Sequence, residues 1–478
     1  DARGFHLDRA AAHPSLLTDD PVAQLTSALP DAVNPPARAS ARPTVAPTRR
    51  PDRGGAGAAM LTNGARLYVD HAHPEYSAPE TASAREAALW DKAGQSIMAE
   101  AARALARTGS PVSLYKNNTD GKGASYGTHE NYLLGRALDW DLLVAALAPF
   151  LVTRQIFTGS GRVGLGARSG EAGFQLSQRA DFIEALVGLE TTLNRPIVNT
   201  RDEPHADPSR WRRLHIIAGD ATMMDLATYL RLGITGLVLR AICLAPTSRV
   251  EQLAAQVALA DPVGDFQRIS RDLTVSQMIA LKAGGSVTAI DLQRLYADFV
   301  ARSVELPDRE QAELIERWSQ LLDGLASDPL SLSRAVEWVA KYQVLESLRQ
   351  RGGLTWDHPK LRAADLRWTD VDPARSLFSR LEARGAVEKL FDEREVAWAV
   401  KHPPTSTRAY LRGEALARYP DSVVSAGWDS LTLAWPDGAA RIVLPNPFAG
   451  DRSEVEAILA QSASGPDLAE KLAGVDLV

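Results

Sequence analysis

The stretch ARLYVDHAH, residues 65–73, alternates apolar and polar side chains and runs into a proline at position 74. A period of two fits a strand with one buried and one polar face, and it fits no helix. The spacing predicts that Tyr68 and Asp70 share one face, that His71 and His73 share the other, and that Pro74 stops the strand. Glu75 follows the proline, so its carboxylate can swing back beside Asp70. Two carboxylates held close are costly without a cation between them, and a divalent metal is the usual remedy. The same residues also fit a hydrogen-bonded polar rim, and this segment alone leaves both readings open.

The rest of the chain is organised around this strand. Ser83 is placed to cap a helix running to about Arg107, with Leu89, Ala93, Ile97, Ala101 and Leu105 forming an apolar stripe at four-residue steps. Further helices are predicted at 138–148, 221–232, 309–325, 331–350 and 373–386. Between them SLYKNN, PFLVTRQIF, RPIVNT and RLHIIAGD read as β segments. The mixture lacks strict strand–helix alternation, which predicts an α+β fold with a large antiparallel sheet. Residues 1–29 read as a partial lead-in. Residues 30–59 are rich in Pro, Ala, Arg and Gly and poor in apolar residues, which predicts a disordered insertion. A catalytic domain is expected over 60–402, and the Pro-rich KHPPTSTRAY marks the start of a small C-terminal domain, 403–478.

Composition excludes several function classes. A net charge of −6 offers no basic surface for nucleic acid. One cysteine, Cys243, forms no internal disulfide and supports no cysteine metal site, which fits a reducing cytoplasm. No unbroken apolar run of membrane-spanning length and no signal-peptide pattern is found. HExxH and GxSxG motifs are absent, which argues against a zinc hydrolase and a serine-elbow hydrolase.

Three later segments carry chemistry. YKNNTDGKGASYGTHENYL, residues 115–133, joins a glycine-containing loop to His129, Glu130 and Asn131, and matches no P-loop or dinucleotide fingerprint. NTRDEPHAD, residues 199–207, gathers Arg201, Asp202, Glu203, His205 and Asp207. RRLHIIAGDAT puts Arg212, Arg213 and His215 on a strand. Carboxylates and histidines among many arginines suit a hard, magnesium-type cation beside a polyphosphate, because arginine forks match phosphate oxygens.

These segments, with GFQLSQRADFIE and the WDS at 428–430, resemble in order the Pup ligase–deamidase family, relatives of glutamine synthetase. The form DHAHPEYS resembles the deamidase branch, since the ligases carry a spacer one residue longer. The resemblance implies a glutamine-synthetase-like carboxylate–amine ligase fold, with a sheet cradle for ATP and Mg2+ and a small C-terminal domain. It implies hydrolysis of the side-chain amide of the C-terminal Gln of Pup and of the Pup–lysine isopeptide bond, with ATP as a bound cofactor. Pup and pupylated proteins are the implied partners, in the cytoplasm, with no nucleic acid and no membrane. Residue by residue, Asp70 matches the catalytic aspartate, either a nucleophile or a base. Tyr68, Glu75, His129 and His215 match metal positions. Arg66, Ser77, Ala78, Asn131, Arg201 and Trp428 match nucleotide positions, while Arg179, Arg212 and Arg213 are weaker candidates for the acidic tail of Pup. A glutamate-bearing strand of the type GxETEYG, which family members carry first, is not found, and residues 1–20 resemble sequence that follows it. The expectation is that the numbered polypeptide alone binds Mg–ATP weakly and has little activity. A Pup–protein ligase and a non-catalytic Pup- or nucleotide-binding relative are the alternatives.

Overall fold

The computed structural model describes residues 32–33, 58–70, 73–107, 109, 111–191, 193–436, 438–475 and 477. The lead-in 1–29 and most of 30–59 lie outside them. The described parts of 30–59 are both strand: β1, Ala32–Val33, pairs antiparallel with β2, Ala58–Leu61. The chain divides into two compact units. One contains Asp1–Leu114, His205–Asp207 and Asp392–Val478, and the other Tyr115–Pro204 and Pro208–Phe391.

In the first unit β1 and β2 continue into β3, Arg66–Asp70, and β4, His73–Ser77, in the order β1-β2-β3-β4. Pro74 therefore does not stop the structure; it lies inside β4. That strand is the edge of the sheet as described, where a missing N–H costs no ladder bond. Helix Ala84–Arg107 follows, with the Ser83 hydroxyl accepting from the Glu86 N–H at 3.1 Å, an N-cap worth about 1 kcal/mol. Its stripe residues Ile97, Ala101 and Leu105 pack with Leu61, Leu67 and Tyr76 from the sheet. A second core joins helix Ala409–Arg418 to a three-stranded sheet spanning Val423–Val443 and the two closing helices, through Leu411, Leu431, Leu433, Val455 and Leu468.

The second unit holds a mixed sheet. Its order is Thr128–Gly135, Trp211–Gly219, Pro196–Asn199 and Ala185–Gly188; the first two junctions are antiparallel and the last is parallel. PFLVTRQIF is helical, not β: helix Trp140–Thr153 includes Pro149, and Gln155–Thr158 adds a further turn. These residues are buried on every side, so an apolar run carries no periodicity by which to tell helix from strand. SLYKNN forms only an isolated bridge between Tyr115 and Asp370. Helices stand at Asp225–Leu244, Arg309–Ser327, Glu337–Gly352 and Leu377–Ala383, close to the predicted 221–232, 309–325, 331–350 and 373–386. Asp225–Leu244 is long and apolar enough by length and composition to cross a membrane, but Arg231 and Arg240 interrupt its apolar run and 78% of its apolar window is buried inside the protein. Its Arg231 donates to the Asp220 carbonyl, as expected of a core helix.

Candidate functional site

In the first unit the site begins at a turn. Asn63 is fully buried; its Oδ1 accepts from the Ala65 N–H, and its Nδ2 donates to the Ala399 carbonyl and the Tyr76 hydroxyl, each at 3.1 Å. Gly64 takes φ +80°, a left-handed conformation that favours glycine. This turn aims β3 into a tight hairpin with the register Arg66↔Ser77, Tyr68↔Glu75 and Asp70↔His73. Directly paired residues project from the same face. Arg66, Tyr68, Asp70, His73, Glu75 and Ser77 therefore form one half-buried polar face. Leu67 and Tyr76 occupy the opposite, apolar face. The expectation for His73 is corrected by this register: the hairpin returns it to the side of Asp70. His71 lies outside the described residues.

Within that face the Ser77 hydroxyl donates to the Tyr68 oxygen at 3.2 Å, and the Arg66 guanidinium lies 5.6 Å from the Tyr68 ring centre. Burial, and then the Glu75 carboxylate, push the Tyr68 phenol well above its ordinary range, so it stays a neutral hydrogen-bonding group. Ala78 follows the hairpin and leads into Glu80, which sequence reading missed. The Glu80 carboxylate accepts from Arg408 Nε at 2.7 Å and Arg412 Nη2 at 2.5 Å. Burial alone would raise its pKa; the Arg412 and Arg408 guanidiniums override that and bring it down to about 2. Arg412 also donates to the Trp428 carbonyl at 2.8 Å and lies 5.2 Å from the Trp428 ring centre. The one legible signal was the four-residue spacing of Arg408 and Arg412 in TRAYLRG, which puts both on one helix face.

In the second unit Thr128–Gly135 and Trp211–Gly219 bring Asn131 opposite His215, and His215 is paired on its other side with Asn199. His129, two residues before Asn131, shares the face and meets His215 edge-on, with ring centres 4.9 Å apart. His215 is 4% exposed and its Nδ1 is buried with no hydrogen-bond partner. Burial, then His129, Arg213 and Arg201, lower its pKa to about 3, so the imidazole is neutral and suited to ligation. A Cβ at Gly127 would fall 2.2 Å from His129 Nε2, so the ring rests against that glycine. The Asn199 carboxamide oxygen accepts from the Arg201 N–H at 2.9 Å and fixes the start of the exposed Arg201 segment.

The other face of this sheet is structural. Glu130 is buried, bonded to Arg154 at 2.5 and 2.9 Å and to Tyr132 at 2.8 Å. Arg179 is corrected as a substrate contact: it is 1% exposed, and its guanidinium donates to the Ser125 hydroxyl and to the Tyr126 and Ile217 carbonyls. Burial lowers its pKa to about 10. Arg212 is half-buried across the Trp140 ring, and Arg213 pairs with Glu203 at 3.0 Å. Among the described residues no group of three or more His, Cys, Asp or Glu side chains forms a complete metal cage. The carboxylates of the first unit are hard oxygen donors of the kind Mg2+ takes, whereas the neutral His215 imidazole of the second unit, with its Nδ1 unbonded, is a softer nitrogen donor that Mg2+ does not favour.

Residues 1–432 match the family described as Pup-ligase protein. A Pup deamidase/depupylase of Mycobacterium tuberculosis is 44% identical over 477 residues, 99% of this chain and 88% of that protein. A depupylase of Acidothermus cellulolyticus is 45% identical over 485 residues, again 99% and 88%. A Pup–protein ligase of Acidimicrobium ferrooxidans is 39% identical over 412 residues, 84% of this chain and 89% of that one. Among solved structures, the Pup ligase PafA in complex with ADP superposes with a TM-score of 0.75 at 32% identity, covering 89% of this chain and 97% of that one. The fold is therefore the glutamine-synthetase-like α+β fold.

Proposed function

The chain belongs to the Pup-ligase protein family, and we propose that within it the chain is a Pup deamidase/depupylase. The observation that carries the choice is 44–45% identity over 99% of the chain to deamidase/depupylases, against 39% over 84% to a ligase. The substrates are Pup ending in Gln and proteins joined to Pup through lysine. In both reactions water adds across a side-chain amide: the C–N bond breaks, a carboxylate remains on Pup, and ammonia or the lysine amine leaves with the proton.

Asp70 is the proposed catalytic residue. As a nucleophile it would attack the amide carbonyl and later be released by water; as a base it would take the proton of the attacking water. Tyr68 and Glu75, facing each other across the hairpin, are the metal-side residues proposed in the first unit, and His129 and His215 those in the second. Mg2+, when bound, would neutralise phosphate charge. ATP is the proposed bound cofactor, with Arg66, Ser77, Ala78, Asn131, Arg201 and Trp428 as its contacts. Arg212 and Arg213 remain candidates for the acidic Pup tail. One cysteine in 478 residues supports a cytoplasmic setting.

The discriminating experiment presents the protein with Pup ending in Gln and, separately, with Pup ending in Glu plus a lysine-bearing protein and ATP. Conversion of terminal Gln to Glu without stoichiometric ADP release is expected once a glutamate-bearing GxETEYG strand is supplied. Isopeptide formation coupled to ADP release would make the chain a ligase instead.

A further inference from the structure

We propose that Arg412 is a positioning residue that sets the Trp428 indole for stacking on a purine base; this rests on the reading of Trp428 as a nucleotide contact. Arg412 is fully buried, and its guanidinium reaches three separate segments of the first unit. Nη2 donates to Glu80 and to the Gly64 carbonyl at 2.9 Å, Nη1 donates to the Trp428 carbonyl, and the guanidinium carbon lies over the indole. The one carboxylate in this cluster, Glu80, is shared with Arg408, so two guanidiniums meet one negative charge. The surplus positive charge has the electron-rich indole face as its partner.

The backbone around Trp428 is already closed. The Gly427 N–H donates to the Ser430 carbonyl at 2.8 Å, and the Leu444 N–H to the Asp429 carbonyl at 2.7 Å. What remains to be set is the ring, and Arg412 covers one of its faces. A base can then stack only on the opposite face. A planar fork is required, because a compact lysine ammonium cannot reach Gly64, Glu80 and Trp428 together. Arg408 is the natural control. It is equally buried and bonded to Glu80, but it turns to the Leu444 carbonyl at 2.6 Å and not to Trp428.

The test measures affinity for Mg–ATP and for Mg–inorganic triphosphate, which lacks the base. Trp428→Ala is expected to weaken ATP about 10-fold, the scale of a lost base–aromatic stack, and to leave triphosphate unchanged. Arg412→Lys is expected to weaken ATP about 3- to 10-fold with no effect on triphosphate, and to add nothing in the Trp428→Ala background. Arg408→Lys lowers thermal stability without changing ATP affinity. If Arg412→Lys does not fold, Glu80→Gln, which loosens the same guanidinium, is read in the same cycle. Additive losses, or equal losses for the two arginines, overturn the proposal. Unchanged ATP affinity in Trp428→Ala overturns the nucleotide reading of Trp428 itself, and the proposal with it.

Discussion

Asp70 and His73 are direct cross-strand partners at the closed end of the β3–β4 hairpin. Only two residues separate them, so the strand reverses at once and every second side chain on either arm returns to the same face. Acid, imidazole, phenol, second carboxylate, hydroxyl and guanidinium are thereby collected on a sheet whose other face is anchored by Leu67 and Tyr76. A rigid apolar anchor behind a polar face is the arrangement that holds reacting groups to a fixed geometry.

Gly127 separates the contribution of the His129 ring, proposed on the metal side, from that of the fold that supports it. An alanine there places its Cβ 2.2 Å from His129 Nε2, so the exposed ring must shift to make room. Gly127→Ala is expected to keep its melting temperature within about 2 °C, since surface changes alter stability little. Nucleotide affinity should fall several-fold as the His129–His215 contact opens. Calorimetric titration of both proteins checks this.

Glu80 gives an acid-stability signature. Its carboxyl is depressed in the folded state to about 2, against an ordinary value of 4.5. The stabilisation is thus fully present above pH 4.5 and is lost as pH falls from 4.5 towards 2, on the order of 3 kcal/mol in all. Glu80→Gln should flatten this part of the acid limb and destabilise the protein at neutral pH, because Arg408 and Arg412 lose their counter-charge. Chemical denaturation at pH 7 and at pH 3 measures both effects.

Arg179 and Arg212 should part company although the family resemblance offered both as contacts for the acidic tail of Pup. Arg179→Ala strips buried partners from the Tyr126 and Ile217 carbonyls and is expected to cost about 3 kcal/mol. Arg212→Ala loses mainly the contact with Trp140, about 0.5–1 kcal/mol. Urea titration of the two variants separates them.

What the sequence revealed and what it concealed follow from the range of each interaction. Alternation around Asp70, the Ser83 cap and the strand carrying His215 are local patterns, and all three were legible, whereas the strand Thr128–Gly135 carrying Asn131 was not. The side of His73 was not, because it depends on a two-residue reversal between Asp70 and His73, whereas Pro74 suggested an end. Helix 140–153 was hidden by uniform burial, which erases amphipathic periodicity. The Glu80–Arg412 contact joins residues 332 positions apart, and no local pattern announces such a pair. Arg179 looked like a surface arginine because burial of a charge is decided by its partners, here two distant carbonyls and Ser125.

The central claim is that Asp70 carries amide hydrolysis while other residues hold the nucleotide. It is tested most directly in a version carrying the glutamate-bearing GxETEYG strand, by following release of a lysine-bearing protein from its Pup conjugate, with Mg–ATP affinity measured in parallel. Asp70→Asn is expected to lower the cleavage rate by at least about 1,000-fold while changing Mg–ATP affinity less than about 3-fold. Cleavage at an undiminished rate by Asp70→Asn, or loss of activity matched by an equal loss of nucleotide affinity, would contradict it.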